Sequence, residues 1–255
     1  MNDETRKLVQ IFADRLINHK AAYYRQWDSG NGYTAIYEPI TLELIESHLR
    51  GDITLSLPVL DSDNQGHWIC FDSDSDNGEL DKFDCQLKQW DWYTIREGKR
   101  TGKAGHLLLL FNASIPGKHL VNLANAMVRR AGISTYKLDV FPRQAKPDKL
   151  GSAVKLPLAF HRKIGERVWF DLPEKNIQAQ LAWFAEQPLN DSQEAIKLAE
   201  LWKPLPPARK VIKNFGHSRY GRINILDYVH ARRNGKELAA QCPICRNEGA
   251  RQARR

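Results

Sequence analysis

Residues 67–78 read HWICFDSDSDNG, an apolar run that ends in closely spaced aspartates. Successive side chains of a β-strand alternate between its two faces, so Asp72 and Asp74 are expected to point the same way. Two carboxylates on one face supply half of a divalent-metal site, because hard cations such as Mg²⁺ prefer oxygen ligands. A third carboxylate, Asp139, lies in another strand-like segment, and we expect it to close the site.

The positive charge is concentrated at the C-terminal end. The 255 residues carry a formal net charge of +8, and residues 203–255 hold 13 Lys and Arg against three acidic side chains. The first 202 residues therefore carry a slight negative charge. A basic end beside an acidic metal site indicates a polyanionic partner, since Lys and Arg bind phosphates through simple charge attraction. A solubilising tail is the alternative.

Length and cysteine content exclude several classes of protein. The chain is long enough for one large α/β domain plus an appendage. Four cysteines at this length do not make a disulfide scaffold, and no secretory leader opens the chain, so we expect a cytoplasmic protein. The longest apolar run, residues 107–111, is strand-sized, which excludes membrane insertion.

Hydrophobic periodicity places these residues on elements of secondary structure. Helices are predicted at 4–27, 41–50, 79–90, 116–131, 176–186 and 191–202, and strands at 54–60, 67–72, 106–111 and 135–141. The strand at 106–111, the helix at 116–131 and the strand at 135–141 form a β-α-β pattern. If its strands join the Asp72 strand in one sheet, His106 and the three aspartates converge on one face.

Four motifs in order carry a family resemblance. FDSDSD is followed by GKAGHLLLLF (102–111), then LDVFPRQ (138–144), then LGSAVKLPLAFHRKIGERVWF (150–170). This series resembles the archaeo-eukaryotic primase superfamily, and most closely the bacterial primase-polymerases of mobile elements and of conflict or CRISPR-associated systems. The resemblance implies an α/β fold with a two-module catalytic core, an N-terminal αβ module plus an RRM-like βαβ module, followed by a helical C-terminal extension.

The resemblance also implies roles for individual residues. Asp72, Asp74 and Asp139 would hold Mg²⁺ or Mn²⁺, and His106 would contact the phosphates of the incoming nucleotide. Cationic side chains would hold the leaving pyrophosphate; the candidates are Lys155 and Arg143, which we favour, and also Lys103, Arg100 and Arg162. In one respect the chain departs from the family pattern, because Ala104 stands where a Ser or Thr normally precedes the histidine by two residues.

The implied domains are a primase-polymerase core at 1–175, a helical extension and Pro-rich linker at 176–215, and a basic module at 216–255. The last of these resembles the helix and first cysteine pair of a primase-type zinc-binding domain. Cys242 and Cys245 would be two of four zinc ligands, and no second pair follows, so a zinc site would be incomplete here. A longer polypeptide is therefore expected.

The interpretation is a template-dependent nucleotidyltransferase, a DNA primase-polymerase that uses NTPs or dNTPs on a single-stranded DNA template and primer. A metal-dependent nuclease is the alternative enzyme, because clustered carboxylates also cut phosphodiesters. A catalytically silent nucleic-acid-binding module, acting through the basic tail, is the alternative outside enzymes. The aromatic cluster Trp90, Trp92 and Tyr93 would stack on template bases or be buried in the core.

Overall fold

The computed structural model describes residues 3–74, 78–98, 105–133, 138–163 and 165–202, together with the backbone of four short strands between 216 and 239. Packing divides the chain into two compact units, Met1–Pro204 and Leu205–Arg255. In the part of the chain described, no helix combines the length and apolar character that crossing a membrane requires.

Helices and strands alternate along the first unit. The helices are α1 Asp3–Leu16, α2 Leu42–Arg50, α3 Glu79–Gln89, α4 Gly117–Arg130, α5 Ile177–Glu186 and α6 Ser192–Leu201. The strands are β1 Tyr23–Gln26, β2 Tyr33–Ile36, β3 Leu55–Pro58, β4 Gln65–Ser73, β5 Ile95–Gly98, β6 Gly105–Pro116, β7 Asp139–Phe141, β8 Ala153–Lys155, β9 Phe160–His161, β10 Glu166–Arg167 and β11 Trp169–Phe170.

Two sheets form the framework. The larger has five strands in the order β11-β5-β6-β4-β7, and the smaller has four in the order β2-β1-β3-β8. β4 runs antiparallel to both β6 and β7, so these two are parallel to each other and are connected through α4. The β-α-β pattern predicted from the sequence is thus present, with β4 inserted between its two strands.

β4 is buried on both faces of the larger sheet, which explains its nearly continuous apolar sequence. Trp68 and Cys70 join a core cluster that includes α1, α2 and α5, while Ile69 and Phe71 join a second cluster with α3, α4 and α6. The segment predicted for 176–215 therefore begins with two helices, α5 and α6, that pack into the cores of the first unit.

The ends of α2 follow the predicted capping pattern. The Thr41 side chain accepts a hydrogen bond from the Leu44 backbone N–H, and Gly51 ends the helix in the left-handed conformation at φ 93°. The prediction for 4–27 was wrong beyond Leu16. The Asn18 side chain bonds the backbone of Val59 instead of continuing the helix, and the aromatic residues that follow form β1.

The residues described in the second unit form two antiparallel pairs, β12 Gly216–Ser218 with β13 Gly221–Ile223 and β14 Arg232–Asn234 with β15 Glu237–Ala239. The helix expected ahead of the cysteine pair does not extend across the last two strands. Cys242 and Cys245 themselves lie outside the described residues.

Candidate active site

A row of polar side chains crosses the larger sheet. Glu97 pairs with His106 between β5 and β6, His106 pairs with Asp72 between β6 and β4, and Asp72 pairs with Asp139 between β4 and β7. Directly opposite residues of antiparallel strands project from the same face. The structure therefore brings His106, Asp72 and Asp139 into one row, together with Glu97, for which the sequence analysis had no role.

Glu97, His106 and Asp72 of this row open into a cleft between the two sheets with a volume of about 420 Å³, whereas Asp139 is not among the residues that line it. From the larger sheet the cleft is lined by Asp72, Asp74, Glu97 and His106, and Phe141, two residues after Asp139, lines it as well. The acidic pair thus points into one space, as the alternation along β4 predicts, although Asp74 itself lies just past the end of the strand.

The smaller sheet contributes a second row to the same cleft. Tyr24 pairs with Ser56 between β1 and β3, and Ser56 pairs with Lys155 between β3 and β8. All three line the cleft, so Lys155 brings a positive charge to the space that holds the carboxylates. Tyr33 of β2 also lines it, and burial together with the charge of Asp72 raises the pKa of the Tyr33 hydroxyl to about 12.

His106 is held between two carboxylates. Its Nδ1 lies 2.7 Å from Glu97 Oε2, and its Nε2 lies 3.8 Å from Asp72 Oδ1. Burial lowers the pKa of His106, but the hydrogen bond and charge of Glu97, with Asp72, outweigh burial and the opposing charge of Lys155. The net effect raises the pKa above the ordinary 6.5, which favours an imidazolium ring facing the cleft.

Asp139 and Arg143 form an ion pair at the edge of the row. The Arg143 Nη2 lies 2.9 Å from Asp139 Oδ2, and both side chains are more than half exposed. The Arg143 guanidinium also lies over the Phe141 ring, 4.9 Å from its centroid. Exposed pairs of this kind contribute little to stability, so the arrangement leaves Arg143 available to another anion.

The other basic residues proposed from the sequence are placed differently. Arg162 donates hydrogen bonds from Nη2 to the backbone carbonyls of Gly51 and Asp52, and its guanidinium lies over the Phe160 ring. Its position therefore suits fixing the loop after α2. Arg100 and Lys103 lie outside the described residues, as does Ala104.

The aromatic cluster at 90–93 does not form a continuous stacking surface. Trp92 is buried in the second core cluster, and the Arg130 guanidinium lies over the Trp90 ring, 4.9 Å from the ring centroid. Of the three aromatics, Tyr93 is the exposed one.

The donor set of the row suits a hard divalent cation. Asp72, Asp74 and Asp139 offer carboxylate oxygens from one sheet face, the ligand type that Mg²⁺ and Mn²⁺ prefer. Among the residues described, no three His, Cys, Asp or Glu side chains are grouped closely enough to hold a metal ion as they stand. The three aspartates fit the cation in ligand type and in shared face, but their spacing in this structure does not form a metal site.

Glu97, Tyr24 and Ser56 line the cleft but were not predicted from the sequence. Glu97 lies in IREG (95–98), where buried and half-buried residues alternate in the structure. Because the second buried position is itself a glutamate, the sequence carries no apolar alternation that would predict the strand. Tyr24 lies within residues 4–27, which were predicted as one helix, so its position on a strand was not recognised. Ser56 lies in a strand that was predicted, but its partners across the sheet could not be read from its own segment.

The fold is an α/β core in which carboxylates of the larger sheet face a lysine of the smaller sheet across a cleft. The family model described as "TOTE conflict system, Archaeo-Eukaryotic Primase domain" matches residues 10–197, so the chain belongs to this family. The resemblance stated from the sequence, and the fold class it implied, are thereby confirmed.

Among solved structures, the chain is similar to the archaeo-eukaryotic primase domain of the cyanophage S-2L primase-polymerase. The two share 16% sequence identity at a TM-score of 0.45, and the match covers 76% of this chain and 97% of that one. No curated protein matches the chain.

Proposed function

We propose that this chain is a template-dependent nucleotidyltransferase that adds nucleotides from NTPs or dNTPs to a 3′ hydroxyl, or starts primers, on single-stranded DNA. The observation that carries the proposal is the cleft itself. Asp72, Asp74 and Glu97 lie with His106 along one wall, and Lys155 stands on the other. In polymerisation, the carboxylates would hold the cation that acts on the reacting phosphate, and the cationic side chains would hold the leaving pyrophosphate.

Asp72, Asp74 and Asp139 would hold the divalent cation, Mg²⁺ or Mn²⁺. Bound there, such a cation neutralises phosphate charge and lowers the pKa of an attacking hydroxyl. The protein's own part is to fix the carboxylates on adjacent strands, so that their spacing is set by the sheet and not by flexible loops. Arg143 would compete with the cation for Asp139, and nucleotide phosphates would provide Arg143 with another anion.

His106 and Lys155 would bind the triphosphate. Imidazolium and ammonium groups both donate charge-assisted hydrogen bonds to phosphate oxygens. The raised pKa of His106 supports this role, since Glu97 and Asp72 favour its charged form. Arg143 would add a bidentate donor at the open side of the row. Arg100 and Lys103 remain candidates for the same task, and Arg162 would act by supporting the loop after α2.

The template strand would lie along the face of β2. Tyr33 and Tyr37 are exposed by 39% and 68%, and Tyr33 also lines the cleft. The two residues are four apart on a strand and its extension, so they project from the same face. Exposed aromatic rings of this kind stack on the bases of single strands without sequence preference.

Within a longer protein, Cys242 and Cys245 of the second unit would supply two of the four ligands of a zinc site, and the basic residues of this unit would add affinity for DNA. We place the protein in the cytoplasm as part of a conflict, mobile-element or CRISPR-type system, with DNA and nucleotides as its partners. The family match supports the conflict-system setting.

The test is incorporation of labelled nucleotides with Mn²⁺ on primed and unprimed single-stranded templates. Asp72→Asn should abolish incorporation while preserving the fold. Asp63→Asn is the matched control, because Asp63 is an exposed carboxylate just before the other end of β4. Mn²⁺ should raise the melting temperature of the native chain and of the control, but not that of Asp72→Asn.

Three outcomes would contradict the proposal. Template shortening that depends on Asp72 would make the protein a nuclease. DNA binding without incorporation, unchanged in Asp72→Asn, would make it a binding module. Equal incorporation by the native chain and Asp72→Asn would remove the carboxylate row from the chemistry altogether.

A further inference from the structure

Glu97 is a carboxylate enclosed in the protein interior. It lies on β5 in the larger sheet, and only 2% of its surface is exposed. Its strand neighbour Ile95 belongs to the apolar core. A carboxylate in such surroundings is costly unless both of its oxygens have partners.

Both oxygens of Glu97 do have partners. Oε1 accepts a hydrogen bond from the Leu158 backbone N–H at 2.8 Å, and Oε2 lies 2.7 Å from His106 Nδ1. Because a carboxylate can only accept, the second contact requires a hydrogen on Nδ1. The ring is thereby oriented with Nε2 towards Asp72 and the cleft.

We propose that Glu97 is a positioning residue that fixes the ring orientation and the Nδ1–H state of His106, so that Nε2 is presented to the nucleotide. A carboxylate behind a histidine keeps the hydrogen on Nδ1 in the neutral ring, and it favours the imidazolium, in which Nε2 also carries a hydrogen that it donates to a phosphate oxygen. The effect on nucleotide use rests on the proposed function, whereas the state of the ring does not.

Support of the backbone explains only half of the Glu97 contacts. The bond to Leu158 needs a single acceptor oxygen, which a glutamine amide supplies equally well in the same volume. The contact with His106 Nδ1 needs a second acceptor, and there the glutamine would present its NH₂ group. Glu97→Gln therefore keeps the Leu158 bond and reverses the hydrogen bond to His106.

The first measurement is the ¹⁵N spectrum of the histidine rings, at a pH that keeps the rings neutral. The chain has eight histidines, and the signal missing in His106→Gln identifies the ring of interest. The native chain should show hydrogen on Nδ1, and Glu97→Gln should show it on Nε2. Hydrogen on Nε2 in the native chain overturns the proposal, and this holds even if the variant does not fold.

The second measurement separates positioning from structural support. Loss of an outer partner that orients a metal-ligating histidine typically costs about 10- to 100-fold in affinity or activity, which sets the scale for a histidine that binds phosphate. For Glu97→Gln we expect that cost as a raised KM for the nucleoside triphosphate, with kcat changed by much less. A purely structural defect lowers the fraction of active protein, which reduces kcat and leaves KM unchanged.

Arg167→Lys is the matched control. Arg167 donates a hydrogen bond to the carbonyl of Leu158, the same residue whose N–H bonds Glu97. This variant should lower the melting temperature without altering the His106 signal or KM. An equal rise in KM for both variants would overturn the proposal. If the native chain incorporates no nucleotide, the proposed function fails, while the ring spectra still decide the state of His106.

Discussion

His48 gives the sharpest test of the fold through acid titration. The ring is fully buried at the end of α2, where Nδ1 accepts a hydrogen bond from the Leu55 N–H at 3.1 Å and Nε2 donates one to the Pro157 carbonyl at 3.0 Å. Both contacts suit a neutral ring. Burial, assisted by the charge of Arg167, lowers the pKa of His48 to about 4.

The expected effect on stability follows from the difference between the folded and unfolded chains. The pKa is 6.5 for an ordinary histidine and about 4 in the folded protein. At about 1.4 kcal/mol for each unit of pKa, protonation costs the folded state roughly 3 kcal/mol. Between pH 6.5 and pH 4 the unfolded chain binds a proton at His48 that the folded chain does not bind. The contribution of neutral His48 to the free energy of unfolding is therefore fully present above pH 6.5 and is lost as the pH falls towards 4.

Urea unfolding followed by tryptophan fluorescence measures this loss. We compare the native chain with His48→Gln from pH 7 to pH 4, because glutamine offers a neutral donor and acceptor that does not titrate. The native chain should lose about 3 kcal/mol more unfolding free energy across this range than the variant. The same dependence on pH in both proteins would show that His48 is not a buried, neutral histidine, and would refute the reasoning.

Three further predictions concern single substitutions. Gly105→Ala should destabilise the protein by about 2 kcal/mol or more and abolish incorporation. Gly105 has φ 138°, and an added Cβ would lie 2.2 Å from the Glu97 carbonyl. Urea unfolding measures the loss of stability. Arg15→Met should cost about 2 kcal/mol in thermal unfolding, since Arg15 donates hydrogen bonds to three backbone carbonyls at the end of α5. Tyr37→Ala should weaken single-stranded DNA binding about fivefold or more at unchanged melting temperature, and an unchanged dissociation constant would exclude Tyr37 from the template path.

Much of the larger sheet is readable from local sequence. The alternation along HWICFD predicts that Asp72 and Asp74 share a side, and the cleft lining bears this out. The strand, helix and strand around α4 carry clear periodicity, and Thr41 and Gly51 mark the ends of α2. In each case the signal lies within about a dozen residues and depends on periodicity or capping chemistry.

The remaining part of the site depends on long-range pairing. Glu97 can be assigned to the site only because β5 lies beside β6 in a register that places Glu97 opposite His106. Tyr24 and Ser56 reach the cleft through pairing of β1, β3 and β8, segments up to about 130 residues apart. No local pattern specifies such a register, and residues 4–27 show the cost of extending a helical period through aromatic residues that prefer strands.

The carboxylates of the row also disfavour a shifted register of the strands that carry them. Both faces of β4 meet apolar cores, so hydrophobicity alone would tolerate a shift of one residue against β6. Such a shift would turn Asp72 into the cluster around Phe83 and bring Phe71 into the cleft. A carboxylate buried there without a partner costs several kcal/mol, so the misaligned sheet is destabilised at the end that carries Asp72. The residues proposed to bind the cation would thus also favour the correct register of β4 when the sheet folds.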